Sequence, residues 1–73
     1  MNSQAESMAV YQAEPIMKYF KFDHLPEKLQ TVSKPFFEVA TNVVQTLPRN
    51  PERTVALRKL LEAKDCAVRA ALE

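Results

Sequence analysis

A short segment between residues 18 and 24 combines aromatic rings with lysines, and this combination can bind a nucleotide. It reads Lys-Tyr-Phe-Lys-Phe-Asp-His and contains Tyr19, Phe20 and Phe22, in a chain with two tyrosines, four phenylalanines and no tryptophan. A flat ring is a platform for a nucleobase, and nearby lysines can neutralise phosphates. The alternation of Phe20 and Phe22 predicts an extended strip with both rings on one side. The alternative is that at least one ring is an ordinary core side chain.

Three further side chains are candidates for ligand contacts, each with a simpler alternative. His24 can donate a hydrogen bond to a ligand, or it can cap the free N–H groups at the start of the following helix. Lys34 can clamp a phosphate, or it can be a solvated surface lysine. Arg69 lies among alanines and Val68, where an arginine near an oligomer axis would need an anion.

The residues offer no constellation for catalysis or for metal binding. The chain has one histidine and one cysteine, Cys66, which together make neither a metal site nor an internal disulfide. No serine lies in a nucleophile-elbow motif, and no pair of carboxylates has a recognisable acid–base arrangement. Cys66 is expected to lie mid-helix among alanines as a small apolar side chain. We therefore expect a protein that is not an enzyme and that uses no cofactor.

The charge and the length of the chain exclude some partners. Its 73 residues carry ten basic and nine acidic side chains, for a formal net charge of +1. This balance gives no field for duplex nucleic acid or an anionic membrane, although a local basic cluster can hold a small anionic ligand. No stretch approaches the ~18 apolar residues of a membrane span, and the first residues lack the basic start of a signal peptide. These features predict a cytoplasmic protein.

The clearest secondary-structure signal is the connection at residues 47–54, Leu-Pro-Arg-Asn-Pro-Glu-Arg-Thr. Pro48 should end one helix near Leu47. Asn50 is a favoured N-cap, Pro51 fits the first helical position, and an acidic residue follows in the first turn. So short a connection predicts two antiparallel helices.

The helix before this connection should begin near Leu25 and carry a heptad-like apolar seam. The seam consists of Leu25, Leu29, Val32, Phe36, Val39, Val43 and Leu47, or Thr46 in the last position. Pro35 lies inside this helix and predicts a kink rather than a break, because the seam continues in phase across it.

The second helix should run from Pro51 to about Leu72 and carries two apolar stripes. The stripe suited to the first helix consists of Leu57, Leu61, Val68 and Leu72, and the second stripe consists of Ala56, Leu60, Ala63, Ala67 and Ala70. A hairpin offers only one partner helix for two stripes, so the second stripe predicts self-association. The alternative is that alanine is simply a good helix former. A domain this small, with no disulfide or metal, needs such a stabilising contact.

Together these features predict an all-α fold, an antiparallel helical hairpin with a short N-terminal segment that assembles into a homo-oligomer. Residues 1–17 form the N-terminal segment, which is a short helix over residues 3–11 or partly disordered. Residues 18–73 form the hairpin domain for oligomerisation and ligand binding.

Three motifs of the chain are similar to those of a known family. They are Phe20-x-Phe22-x-His24, then Leu47-Pro48-x-Asn50-Pro51-Glu52-Arg53-x-x-Ala56-Leu57-x-Lys59-Leu60-x-Glu62-Ala63, and finally Ala67-Val68-Arg69-Ala70. Over residues 19–72 the chain thereby resembles small helical-hairpin proteins with which phages absorb nucleotide second messengers. These are the anti-CBASS sponges for cyclic oligonucleotides and the related anti-Thoeris sponges for cyclic ADP-ribose isomers.

The resemblance implies a non-enzymatic homo-oligomer, commonly a hexamer, with ligand pockets between protomers. It implies that a cyclic dinucleotide stacks on an aromatic ring, of which Phe22 fits best, followed by Phe20 or Tyr19. It assigns a phosphate contact to Lys34. It assigns Arg69 to a second kind of pocket, on the oligomer axis, for cyclic trinucleotides. The protein would then act in the cytoplasm of the host bacterium, where it would sequester these messengers without cleaving them and block CBASS-like signalling.

A second hypothesis belongs to a different functional class. The chain can be a helical-hairpin adaptor that docks a partner protein through its alanine stripe and has no nucleotide ligand. The residues alone slightly favour the adaptor, and the resemblance reverses that order.

Overall fold

The computed structural model describes residues 14–73, so the short helix considered for residues 3–11 lies outside the described residues. The described part contains a 3₁₀ segment, Pro15–Phe20, and two α-helices, α1 (Glu27–Thr46) and α2 (Pro51–Leu72), and it contains no strand. This confirms the predicted all-helical class with two long packed helices. The domain border predicted after residue 17 falls inside the 3₁₀ segment.

The connection between α1 and α2 has the local structure that its residues predict. Leu47 leaves the helix in an extended conformation, with φ −106° and ψ 146°, directly before Pro48. The Asn50 side chain accepts a hydrogen bond of 2.9 Å from the backbone N–H of Arg53, and Pro51 begins α2. An N-cap of this kind contributes ~1 kcal/mol. The predicted bounds of the second helix are confirmed.

A small hydrophobic core lies where the 3₁₀ segment meets the two helices. Among the described residues, its fully buried hydrophobic side chains are Met17 and Phe20 of the 3₁₀ segment, Ala40 of α1 and Leu57 of α2. Partly buried side chains surround them, namely Ile16, Phe36, Phe37, Val43, Val44, Leu60 and Leu61. Because the middle of α1 packs against the first half of α2 across a short connection, the two helices run antiparallel. The 3₁₀ segment packs on both of them.

The packed face of α1 differs from the predicted heptad seam. Val39 and Leu47 are about half exposed, whereas Ser33 and Ala40 are fully buried. The reason is that the 3₁₀ segment contacts α1 as well as α2, so the buried face is wider than the stripe that one partner helix requires. The predicted seam is therefore wrong at Val39 and Leu47. Pro35 lies within one uninterrupted helix, so there is no break, as predicted, and the kink stays a prediction.

The two predicted stripes of α2 are only partly correct. Leu57 and Leu61 pack in the core, but so does Leu60, which the pattern assigned to the outer stripe. Leu72, in the last turn of α2, is 67% exposed, so the inner stripe does not stay buried to its end. Ala63 is exposed, so part of the outer stripe remains on the surface.

The start of α1 lies two residues later than predicted, at Glu27, and no side chain caps it. The carbonyl of Pro26 accepts a hydrogen bond of 3.0 Å from the N–H of Gln30. The Gln30 side chain turns back and donates to the carbonyl of Leu25 at 2.7 Å. The capping role considered for His24 is wrong, because no side chain accepts a hydrogen bond from the free N–H groups at the start of α1.

Arg53, in the first turn of α2, is only 8% exposed, and its side chain connects α2 with α1 and with the 3₁₀ segment. Its Nη1 donates to the carbonyl oxygens of Val44 and Leu47, at 3.2 and 3.0 Å, where α1 ends. Its Nη2 donates to the carboxylate of Glu14, which directly precedes the 3₁₀ segment. The last carbonyls of a helix lack intrahelical partners, and a cation there also complements the helix dipole. One side chain therefore closes the end of α1 and holds the 3₁₀ segment.

The substitution Arg53→Met should destabilise the fold strongly. It keeps a long unbranched side chain but leaves the Glu14 carboxylate without its partner and the α1 carbonyls without their donor. Breaking a buried pair by removing one partner costs about 3–5 kcal/mol, and we expect a loss of that order in the free energy of unfolding. Chemical denaturation followed by circular dichroism measures it.

The matched control for this prediction is Lys59→Met, because Lys59 is exposed on the same helix. An exposed substitution of this kind should change the free energy of unfolding by no more than about 0.5 kcal/mol. Equal losses for the two variants would show that the Arg53 contacts do not stabilise the fold.

Candidate functional site

A cleft of about 280 Å³ lies between the 3₁₀ segment and the first half of α2. Its lining residues are Glu14, Pro15, Ile16, Lys18, Tyr19, Thr54, Leu57 and Arg58. The lining combines an apolar floor with an aromatic ring and two cations, which is the composition expected for a small-molecule site.

The local geometry of the 3₁₀ segment explains which of its side chains face the cleft. A 3₁₀ helix has three residues per turn, so side chains three positions apart lie on the same face. Ile16 and Tyr19 accordingly share the face that lines the cleft, while Met17 and Phe20 share the face in the core. The extended strip predicted for this segment is therefore wrong, because Phe20 ends a helical turn and not a strand.

The opposite wall of the cleft is one face of α2. Thr54, Leu57 and Arg58 follow each other at intervals of three and one, so they lie on the same side of the helix. Leu57 is 1% exposed and forms the floor, whereas Arg58 is exposed beside it. The Thr54 hydroxyl is within 3.4 Å of the carbonyl of Asn50, to which it donates.

The electrostatic character of the cleft is positive. Lys18 and Arg58 both line it, and the Lys18 Nζ lies 5.1 Å from the centroid of the Tyr19 ring. The carboxylate in the cleft lining, that of Glu14, is paired with Arg53. The charges free to face a ligand are therefore cationic, which suits a phosphate group.

The three predicted stacking rings have different environments. Tyr19 is 56% exposed and lines the cleft. Phe20 is fully buried, so in this structure neither of its faces is open to a ligand. Phe22 is half-buried and packs edge-on against Phe37, with ring centroids 5.5 Å apart and an interplanar angle of 63°. Tyr19 is thus the ring of the three with an accessible face next to cations.

The other predicted site residues lie away from this cleft in the single chain. His24 and Lys34 are exposed, in the turn before α1 and within α1. Arg69 is exposed in the last turn of α2, where its Nη2 is 3.3 Å from the Sγ of Cys66. Eleven residues of helix separate Arg58 from Arg69, roughly 16 Å along the axis. The structure therefore gathers Tyr19 with side chains that the sequence did not single out.

Sequence reasoning included Lys18 among the lysines beside the aromatic rings, but it did not assign Glu14, Pro15, Ile16, Thr54 or Arg58 to a site. A signal for the α2 wall was present, because the three-and-one spacing of Thr54, Leu57 and Arg58 marks a single helical face. No sequence pattern indicated the contributions of Pro15 and Ile16, since these depend on a 3₁₀ turn that begins at Pro15.

Residues 14–73 contain neither a metal-binding cluster nor a helix suited to a membrane. No cluster of three or more histidine, cysteine, aspartate or glutamate side chains in this range could hold a metal ion. None of its helices combines the length and apolar character needed to cross a bilayer.

Comparison of the chain with models of protein families, with curated proteins and with solved structures found no match.

Proposed function

We propose that this protein binds a cyclic oligonucleotide second messenger and sequesters it without cleaving any bond. The observation that carries the proposal is the exposed Tyr19 ring, which lines the cleft together with Lys18, Arg58 and the buried Leu57. The resemblance of residues 19–72 to phage sponge proteins supports the same ligand class. The protein would then act in the cytoplasm of a phage-infected bacterium and block CBASS-like signalling by depleting the messenger.

The chemistry of the cleft assigns a role to each wall. The Tyr19 ring would stack on a nucleobase, an interaction worth ~1–3 kcal/mol per base. Lys18 and Arg58 would pair with phosphate oxygens, and the guanidinium of Arg58 can do so with two parallel hydrogen bonds. The apolar floor would exclude water from beneath the base.

The size of the cleft indicates that one chain holds only part of such a ligand. Its volume of about 280 Å³ is at the lower limit of the range typical for drug-sized ligands, roughly 300–1,000 Å³. We propose that a second protomer completes the pocket and contributes the Lys34 ammonium and the aromatic region of Phe22 and His24. Arg69 would belong to the separate axial pocket for cyclic trinucleotides.

Surface composition supports the proposed assembly. Val39, Val55 and Leu72 are each about half or more exposed, and Ala63 and Ala70 are exposed on α2. Val55, Ala63 and Ala70 share one face of α2 by helical spacing, and an exposed apolar face of this kind favours contact with another copy.

The oligomer is testable by light scattering on the purified protein. We expect a mass that is a multiple of the 8.3 kDa chain, with six copies as the implied number. Ala63→Glu should dissociate the assembly, because it introduces a carboxylate into a close helix contact. Glu62→Asp, an acidic exchange at the neighbouring exposed position, is the control. A monomeric wild type, or an Ala63→Glu variant with unchanged mass, would show that this stripe faces water.

The ligand class is testable by thermal shift with a panel of cyclic di- and trinucleotides. A ligand at one hundred times its dissociation constant stabilises the native state by ~2.7 kcal/mol, which raises the melting temperature measurably. The linear dinucleotide of each sequence is the control for ring closure. Ligand released by denaturation should be intact on chromatography. Linearised product would indicate an enzyme, and no shift across the panel would favour the protein-docking adaptor.

The Tyr19 ring is testable by a pair of substitutions in titrations with the best cyclic dinucleotide of that panel. Tyr19→Ala should weaken binding by about tenfold or more, because base stacking is lost. Tyr19→Phe keeps the ring and should remain within about threefold of wild type. The affinity of the wild type should also fall as salt rises, because the phosphate contacts are screened. Equal losses for the two variants would show that stacking on this ring does not contribute.

A further inference from the structure

The 3₁₀ segment that carries Tyr19 is a weak element by itself. It spans only Pro15–Phe20, and short 3₁₀ turns have poorer hydrogen-bond geometry than α-helices. At its two ends the backbone N–H of Met17 donates to the Glu14 carbonyl at 2.9 Å, and that of Lys21 donates to the Lys18 carbonyl at 3.4 Å. The position of this wall of the cleft therefore depends on contacts with the rest of the fold.

Two kinds of contact hold the segment, and they act at different ends. Met17 and Phe20 insert into the core and fix its middle and its C-terminal end. The Glu14 carboxylate, 14% exposed, pairs with the guanidinium of Arg53 and fixes its N-terminal end. The pair spans 39 positions of the chain, so it is a tertiary tie and not a local turn contact.

Arg53 contacts Glu14 and the end of α1 through different nitrogens, so the contact with Glu14 can be removed without removing the contacts between the two helices. Its Nη1 donates to the carbonyls of Val44 and Leu47, and only Nη2 engages Glu14. Loss of the Glu14 carboxylate therefore leaves the closure of α1 in place. Loss of Arg53 removes both.

We infer that Glu14 is a positioning residue for ligand binding, which acts through Arg53 to hold the Tyr19 wall of the cleft against α2. The claim that Glu14 affects ligand affinity rests on the proposed function. The claim that Glu14 holds the 3₁₀ segment against α2 does not depend on a ligand. Glu14 itself contacts no phosphate in this scheme, because its carboxylate is engaged by the guanidinium and an anion would be repelled by it.

The structural part is tested by limited proteolysis of full-length Glu14→Gln with trypsin. The bond after Lys18 lies inside the 3₁₀ segment, and the bond after Arg49 lies in the connection between the helices. Freeing the segment should speed cleavage after Lys18 by about tenfold, because local opening no longer has to break the ion pair. Cleavage after Arg49 and the helical circular dichroism should stay at wild-type values. Glu38→Gln, an exposed glutamate on α1, is the control.

A second variant separates charge from side-chain length. Glu14→Asp keeps the carboxylate on a shorter side chain, so its cleavage rate after Lys18 should fall between those of wild type and Glu14→Gln. Unchanged cleavage in Glu14→Gln would overturn the inference. Equal acceleration at both bonds, or loss of the helical signal, would also overturn it, because the pair would then stabilise the whole fold.

The functional part is tested by titrating the same variants with cyclic di-AMP and cyclic GMP–AMP. Glu14→Gln should bind the tighter of the two about tenfold more weakly than wild type, and saturating ligand should restore resistance to cleavage after Lys18. A freed segment with unchanged affinity would overturn the positioning role. If the wild type binds neither probe and no other member of the cyclic di- and trinucleotide panel, the proposed ligand class fails, while the proteolysis result still decides whether Glu14 holds the segment.

Discussion

The guanidinium of Arg53 is the group on which the described fold depends. A core with only four fully buried hydrophobic side chains within residues 14–73 cannot by itself hold three elements in register. Arg53 supplies the missing constraint because it bonds to the last carbonyls of α1 and to Glu14 before the 3₁₀ segment. Its own position is set locally, since the Asn50 cap fixes the first turn of α2 and so directs residue 53 toward the end of α1. A local capping signal thereby controls a tertiary arrangement.

The same contact determines the charge of the cleft. Lys18, Arg58 and Glu14 all line it, and an unpaired carboxylate there would oppose the binding of a phosphate. Because the Glu14 carboxylate is paired with Arg53, the unpaired charges in the cleft lining are those of Lys18 and Arg58. A chain with a net charge of only +1 can therefore present a positive site without a generally basic surface. One ion pair thus both holds the 3₁₀ segment and neutralises the carboxylate in the cleft lining.

What the sequence predicted correctly was determined by backbone chemistry close in the chain. Pro48, Asn50 and Pro51 specify the end of one helix and the start of the next, and the structure has both at those residues. The errors arose where a third element contributes. The heptad seam assumed that α1 packs only on α2, so it placed Val39 inside, whereas the 3₁₀ segment draws the buried face toward Ser33 and Ala40. Likewise, Phe20 and Phe22 were assigned the two-residue period of a strand, because no local signal in these residues indicates the three-residue period of a 3₁₀ helix. The Glu14–Arg53 pair joins residues 39 positions apart, which no local pattern encodes.

Binding and assembly are physically linked if the proposed function holds. A cleft of about 280 Å³ would then enclose only part of a cyclic dinucleotide and leave the rest of the ligand in solvent. A sequestering protein gains from slow release, and release is slow only when most of the ligand surface is buried. The exposed apolar side chains of α1 and α2 offer the surface with which a second copy would complete the enclosure. A ligand held by two copies must also stabilise their contact, because it binds the assembled state more tightly than the separate chains. Contact with a second copy would then compensate for both the small core of each chain and its incomplete cleft, because the protomer is only part of the binding unit.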